Sequence, residues 1–251
     1  MLATTLLFFI TAFFYASVGF GGGSTYTALL VIFNTPYLLI PILALLCNII
    51  VVTGGTWRFH RERLIPWQET WPLFVTSVPM AWFGGSLSIN QSTFLIVLAM
   101  TLLASGFVML LRTKTTGHHS STQRSVWYIT GLGAGLGFLA GMVGIGGGIF
   151  LAPALHFLNW NTSKVIAGVC SSFILVNSIA GLVGHYSKFD EAAQSTSVLS
   201  HWPLFLAVLV GGQLGSIMGI KKFKAEHIKM LTALLVLFVG ARLLVNTWLG
   251  S

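Results

Sequence analysis

The sequence predicts an all-α polytopic membrane protein. It is read as two inverted-topology repeats of about five helical segments each, with re-entrant glycine-tipped half-helix hairpins meeting near the membrane midplane. Three observations carry that prediction. Only 7% of the 251 residues are charged and 55% are hydrophobic, against about 25% charged in an ordinary soluble domain. Apolar stretches follow one another with short polar connections between them, and a bilayer core about 30 Å thick takes roughly 20 apolar residues per crossing. Finally, Val18-Gly19-Phe20-Gly21-Gly22-Gly23 recurs as Val143-Gly144-Ile145-Gly146-Gly147-Gly148.

The elements follow in order. In the first half the apolar stretches run Leu2–Val18, Ser24–Phe33, Tyr37–Thr53, Trp71–Ile89 and Thr93–Leu111. In the second they run Val126–Val143, Ile149–Leu158, Val165–Gly184, Trp202–Ile220 and His227–Trp248. Other markers repeat in the same sequence order: Asn34 corresponds to Asn159, Trp71-Pro72-Leu73-Phe74 to Trp202-Pro203-Leu204-Phe205, and Gly84 to Gly215. The division is therefore residues 1–112 for the first repeat, 113–125 for a polar cytoplasmic linker, and 126–251 for the second. The second stretch of each half has only about ten residues, roughly 15 Å of helix and half of the hydrocarbon thickness. With the stretch before it, each forms a hairpin that dips toward the midplane and returns, with the triple glycine at its tip.

Charge placement sets the orientation. Arg58, Arg61 and Arg63, then Arg112, Lys114 and Arg124, then Lys164, then Lys221, Lys222 and Lys224 all fall in or beside short connections. One assignment puts every basic cluster in the cytoplasm, as the positive-inside rule requires. Both termini are then outside, and the odd number of crossings per half inverts the second repeat relative to the first. Most tryptophans lie near segment ends, where an interfacial belt places them. The first twenty residues contain no cation, so they lack the basic region of a signal peptide and read as the first membrane segment. The cations are spread over loops, which gives no nucleic-acid footprint. Cys47 and Cys170 sit in apolar stretches and make no disulfide framework.

The five acids, Glu62, Glu69, Asp190, Glu191 and Glu226, lie in or beside the polar connections. Cation sites and proton relays within membranes rely on Asp and Glu, so anions or neutral solutes are the expected cargo. Half-helices that begin directly after the glycines aim their N-termini inward. Unpaired N–H groups and the positive dipole end make such termini anion sites, and glycine lets backbone approach the ligand. The substrate-binding candidates are Gly21, Gly22, Gly23, Ser24 and Thr25 at the first tip, and Gly146, Gly147, Gly148 and Ile149 at the second. Asn48, Ser171, Ser172 and Asn177 join them as polar residues of the third segments. For each, the competing reading is structural: close helix packing for the glycines, interhelical hydrogen bonding for the others. Neither tip is a nucleotide-binding loop, because Gly-Lys-Ser/Thr follows neither. His118-His119 lacks partner ligands at metal-site spacing, and no metal or cofactor is expected.

The motifs VGFGGG and GMVGIGGGIFLAPAL, followed by GVCSSFILVNSIAGLVGHY, resemble the sulfite exporter TauE/SafE family, also called the toluene sulfonate uptake permeases. The resemblance covers nearly the whole chain. It implies a bacterial inner-membrane permease for small sulfur-containing anions such as sulfite or organosulfonates. The chain is expected in the lipid bilayer as a monomer or homodimer. The resemblance carries over Gly19, Gly21, Gly22 and Gly23 in the first half, and Gly144, Gly146, Gly147, Gly148 and Pro153 in the second. Leu45-Leu46-Cys47-Asn48 departs from the family's Thr-Ser pair. An inside-negative potential drives a monoanion outward by about 2.3 kcal/mol per 100 mV, so export needs no coupling ion. Uptake by the same site, a non-transporting membrane subunit, and an intramembrane hydrolase using Ser24 are the alternatives. The last lacks a histidine in the first hairpin or third segment to activate the serine.

Overall fold

The computed structural model describes residues 2–17, 19–110, 126–158, 160–187, 198–218 and 225–249. Val18, the linker 113–125, Asn159, the loop with Lys188, Asp190 and Glu191, and Lys221, Lys222 and Lys224 lie outside the described residues. Among the described residues there are ten helices and no strand: α1 (Leu2–Ser17), α2 (Gly23–Ile32), α3 (Leu39–Arg61), α4 (Trp67–Ser86), α5 (Gln91–Leu110), α6 (Val126–Val143), α7 (Gly148–Phe157), α8 (Ser163–Tyr186), α9 (Trp202–Met218) and α10 (Ala225–Leu249). Each expected stretch has its helix. Among the described residues, Leu39–Arg61, Gln91–Val108 and Ser163–Tyr186 are long and apolar enough to cross a membrane. Most boundaries shift by a few residues, and the largest shift is in α3, which continues past Thr53 to Arg61. The basic residues Arg58 and Arg61, read from sequence as a connection, sit in its last turn, where cations complement the helix dipole.

Helix ends follow from the residues there. After α1, Gly19 (φ 83) donates to Ala16 O and Phe20 N to Tyr15 O. That pair of bonds is the Schellman closure, whose left-handed residue is ordinarily glycine. Asn34 (φ 53) closes α2 the same way, with Thr35 N donating to Leu30 O. At the end of α7, Trp160 N donates to Leu155 O at the same spacing. Asn34 is thus a helix-stop signal.

Other glycines build seams. A Cβ on Gly133 of α6 would lie 2.6 Å from Leu73 O of α4, and Cβ atoms on Gly137 and Gly141 would overlap Ser77 O and Ala81 O. Both series advance by four residues, so the two helices run against each other at backbone contact, the packing that small residues allow in membranes. Gly211 and Gly215 of α9 meet Phe9 O and Phe13 O of α1 in the same manner. The halves exchange partners consistently. Gly84 of α4 meets Phe138 O of α6, while its counterpart Gly215 meets Phe13 O, and Phe13 and Phe138 occupy corresponding positions. Likewise α1 packs on α9 and α6 on α4, with α3 against α8 and α5 against α10 on the exchange axis.

The core centres on α3. Leu43, Leu45, Cys47 and Val51 are buried against α2, α8 and the two glycine turns. Both short helices start beside the middle of α3 and leave toward its opposite ends. α2 leads back to Leu39, whereas α7 leads to the start of α8, where a Cβ on Gly168 would lie 3.2 Å from Leu64 O.

Candidate functional site

The two glycine turns start their helices in the same way. Gly22 (φ 88) is the N-cap of α2 and Gly147 (φ 74) that of α7, both left-handed and both without a side-chain cap. Gly146 (φ 78) is left-handed as well. An L side chain loses about 1–2 kcal/mol in that conformation, which is why glycine stands there. Thr25 and Tyr26 N–H donate to Gly22 O, and Phe150 and Leu151 N–H donate to Gly147 O. The first amides of each short helix have no intrahelical acceptor, as at any helix start.

The turns meet at Asn48. A Cβ on Gly21 would lie 2.6 Å from Asn48 Oδ1. One on Gly23 would lie 2.5 Å from Asn48 Nδ2 and from Ile145 O of the opposite turn. One on Gly146 would lie 2.9 Å from Asn48 Nδ2. From the other side α8 supplies Ile174, 3.2 Å from a Cβ on Gly21 and 2.9 Å from one on Gly146, and Ser178, whose Oγ is 3.4 Å from the latter. Ile174 also blocks any side chain at Gly148. A side chain at Gly23 would strike the backbone of Ile145, whereas one at Gly21, Gly146 or Gly148 would first meet the side chains of Asn48 or Ile174.

Several polar atoms around these turns lack partners. Asn48 is 0% exposed, and neither Nδ2 nor Oδ1 has a hydrogen-bond partner in the protein. The same holds for Ser24 Oγ, Tyr26 OH and Ser178 Oγ, all buried. Tyr26 stacks on Phe8 at 4.8 Å, and its hydroxyl comes within 3.2 Å of a Cβ on Gly22. Buried polar groups in proteins are nearly always bonded, and each left unsatisfied costs about 1–3 kcal/mol. Asn48 and Ser178 lie together beside Gly146, while the Tyr26 hydroxyl lies beside Gly22.

The sequence candidates divide. Gly21, Gly23, Gly146, Gly148 and Asn48 come together, with Ser24 in the first turn of α2. Gly22 and Gly147 set the backbone; the space beside them is filled by Thr11 and Tyr26, and by Phe173, Leu136 O and Ala140. Thr25 Oγ1 shares a 2.9 Å hydrogen bond with Tyr15 OH. Ile149 packs into the apolar core. Ser171 Oγ is 3.1 Å from Thr56 Oγ1, and Ser172 donates to Gly168 O and Val169 O of its own helix. Asn177 Nδ2 donates to Phe173 O while its Oδ1 has no partner. Reading the residues alone missed Tyr26, Ile174 and Ser178. Ser171, Ile174 and Ser178 fall on one face of α8 at helical spacing, and that period was the available signal.

Residues 4–243 match the family model described as "Sulfite exporter TauE/SafE". The chain is 29% identical over 250 residues to "Probable membrane transporter protein y4hK" of Sinorhizobium fredii, covering 95% of this chain and 96% of that protein. It is 22% identical over 220 residues to "Probable membrane transporter protein YunE" of Bacillus subtilis, covering 78% and 77%. A third relative, from Methanocaldococcus jannaschii and also named a probable membrane transporter protein, is 22% identical over 188 residues, covering 73% and 70%. No solved structure matches the chain. With a family match running almost from end to end, the chain belongs to the sulfite exporter TauE/SafE family and is a membrane transporter rather than an enzyme.

Proposed function

We propose that the protein exports a small sulfur-containing oxyanion, sulfite or an organosulfonate, across the bacterial inner membrane, and that the anion binds between the two glycine turns at Asn48. The observation that carries this reading is the set of buried, unpartnered polar atoms, Asn48 Nδ2, Ser24 Oγ, Tyr26 OH and Ser178 Oγ, around two helix N-termini. An oxyanion offers several acceptor oxygens to those donors. The dipole ends of α2 and α7 add positive potential. Opposed hairpins, with the halves inverted in the membrane, give the site two-sided access of the kind that broken helices provide in transporters. The reciprocal packing of α1 on α9 and α6 on α4 supports that inversion.

Flux from proteoliposomes tests the reading, with sulfite, thiosulfate, sulfate, sulfoacetate and taurine compared. Saturable movement of at least one sulfur oxyanion is expected, with Gly21→Ala lowering it about tenfold or more. That Cβ meets the movable end of Asn48 rather than backbone, so the variant should accumulate normally. Normal flux through the Gly21→Ala protein would place the substrate elsewhere.

A further inference from the structure

Arg58 is a cation that the paired turns do not use. The buried face of α3 ends at Val52, yet Arg58, beyond it, is half-buried. An arginine at the end of an apolar helix ordinarily extends toward the headgroups. Arg58 instead turns inward across α9, donating from Nη1 to Ser216 Oγ and from Nη2 to Gln213 Oε1 at 3.1 Å. The seam accommodates this: a Cβ on Gly54 would lie 2.6 Å from Gln213 Nε2, so glycine makes room for the amide. Both acceptors are neutral, and no carboxylate pairs with Arg58 among the described residues. A guanidinium has five N–H donors, and a half-buried charge without a counter-charge is costly. An anion satisfies both conditions.

The position suits transit. Arg58 lies ten residues beyond Asn48 on α3, about 15 Å along the helix axis. Between them the Thr56–Ser171 hydrogen bond bridges α3 and α8, and Ser171 lies two turns from Ser178, about 10 Å. Exposed Arg61, Arg63 and Lys164 occupy the same end of the molecule, where they raise the local anion concentration.

We propose that Arg58, held by Gln213 and Ser216, is a second anion station, where the substrate oxyanion pairs with the guanidinium before or after it occupies the glycine turns. The inference rests on the anion reading of those turns. Conduction through two weak stations satisfies the requirement that a permeant ion both enter and leave, and a planar guanidinium matches a sulfur oxyanion in bidentate fashion.

Gln213→Glu separates this role from that of a structural strut. The variant keeps an acceptor oxygen for Arg58, so the α3–α9 link survives, but it gives the guanidinium a carboxylate of its own. Sulfite flux should then show KM raised about tenfold, the effect of one charge-assisted hydrogen bond. Vmax should be near the wild-type value and the thermal midpoint in detergent unchanged or higher. Arg58→Gln should raise KM similarly and Arg58→Lys less. If Arg58→Gln does not accumulate, Gln213→Glu decides alone. Unchanged KM in Gln213→Glu, with wild-type flux present and lowered by Gly21→Ala, overturns the station and leaves the glycine-turn reading standing. Absence of any anion flux in the wild type overturns that reading, and this inference with it.

Discussion

On the proposed reading, Asn48 sets stability against function in one side chain. It is fully buried at the contact of the two turns, and neither amide atom bonds within the protein. Replacing such a group by an apolar one of similar volume removes a desolvation penalty of about 1–3 kcal/mol. Asn48→Leu is therefore expected to raise the thermal midpoint of the ligand-free protein while abolishing transport, the exchange common at functional sites. Melting in detergent and proteoliposome flux measure the two arms, and retained transport would count against Asn48 as a ligand. The sequence singled out Asn48 as a polar residue at membrane depth. It did not reveal that Thr25, equally polar and beside the glycines, would be taken by Tyr15. Thr25 is partnered and Asn48 is not because α1 carries a phenol to Thr25 and nothing to Asn48, a matter of how helices distant in sequence are packed.

At the level of elements, the glycines fall into classes that sequence alone does not separate. Gly19 and Gly144 end helices, Gly22 and Gly147 begin them, and Gly133, Gly137 and Gly141 form a seam. The clusters marked the turns, whereas the seam emerged only from the packing of α6 on α4. Which glycine in a cluster needs left-handed backbone and which needs empty space was decided by the opposing helices. Gly22 illustrates the backbone class: a Cβ there meets Thr11 and Tyr26 at 3.1 Å, contacts that small shifts relieve, so its constraint is chiefly φ 88. Gly22→Ala should lower stability by about 1–2 kcal/mol, the left-handed penalty, and Gly22→Asn by less, since asparagine tolerates that region better. Equal losses in thermal unfolding of the two variants would mean that space, not backbone, sets the requirement.

For the whole molecule, the duplication visible in the sequence has a packing counterpart: Gly84 on Phe138 and Gly215 on Phe13 are the same contact made twice with the halves exchanged. The expectation that the halves are inverted, read from the placement of lysines and arginines, leads to a direct prediction. Single cysteines at Thr115, in the linker, and at Ala193, in the loop before α9, should label from opposite faces of the membrane with an impermeant maleimide. Cys47 and Cys170 are both 0% exposed, so the native chain is a suitable background. Labelling of both positions from one face would contradict inversion and the opposed approach of the hairpins.

The sequence by itself determined the helical membrane class, the ten segments, the repeat and the family, because apolar periodicity, segment length and glycine clusters are local and survive without tertiary context. Only the tertiary structure decided that α3 threads between the turns and presents Asn48 to both. It likewise decided that Ile174 and Ser178 close the other side, and that Arg58 turns into the protein instead of out to the headgroups. Those outcomes depend on which backbones approach within a few ångströms, and that is settled by the summed packing of the helices together, which no single segment encodes.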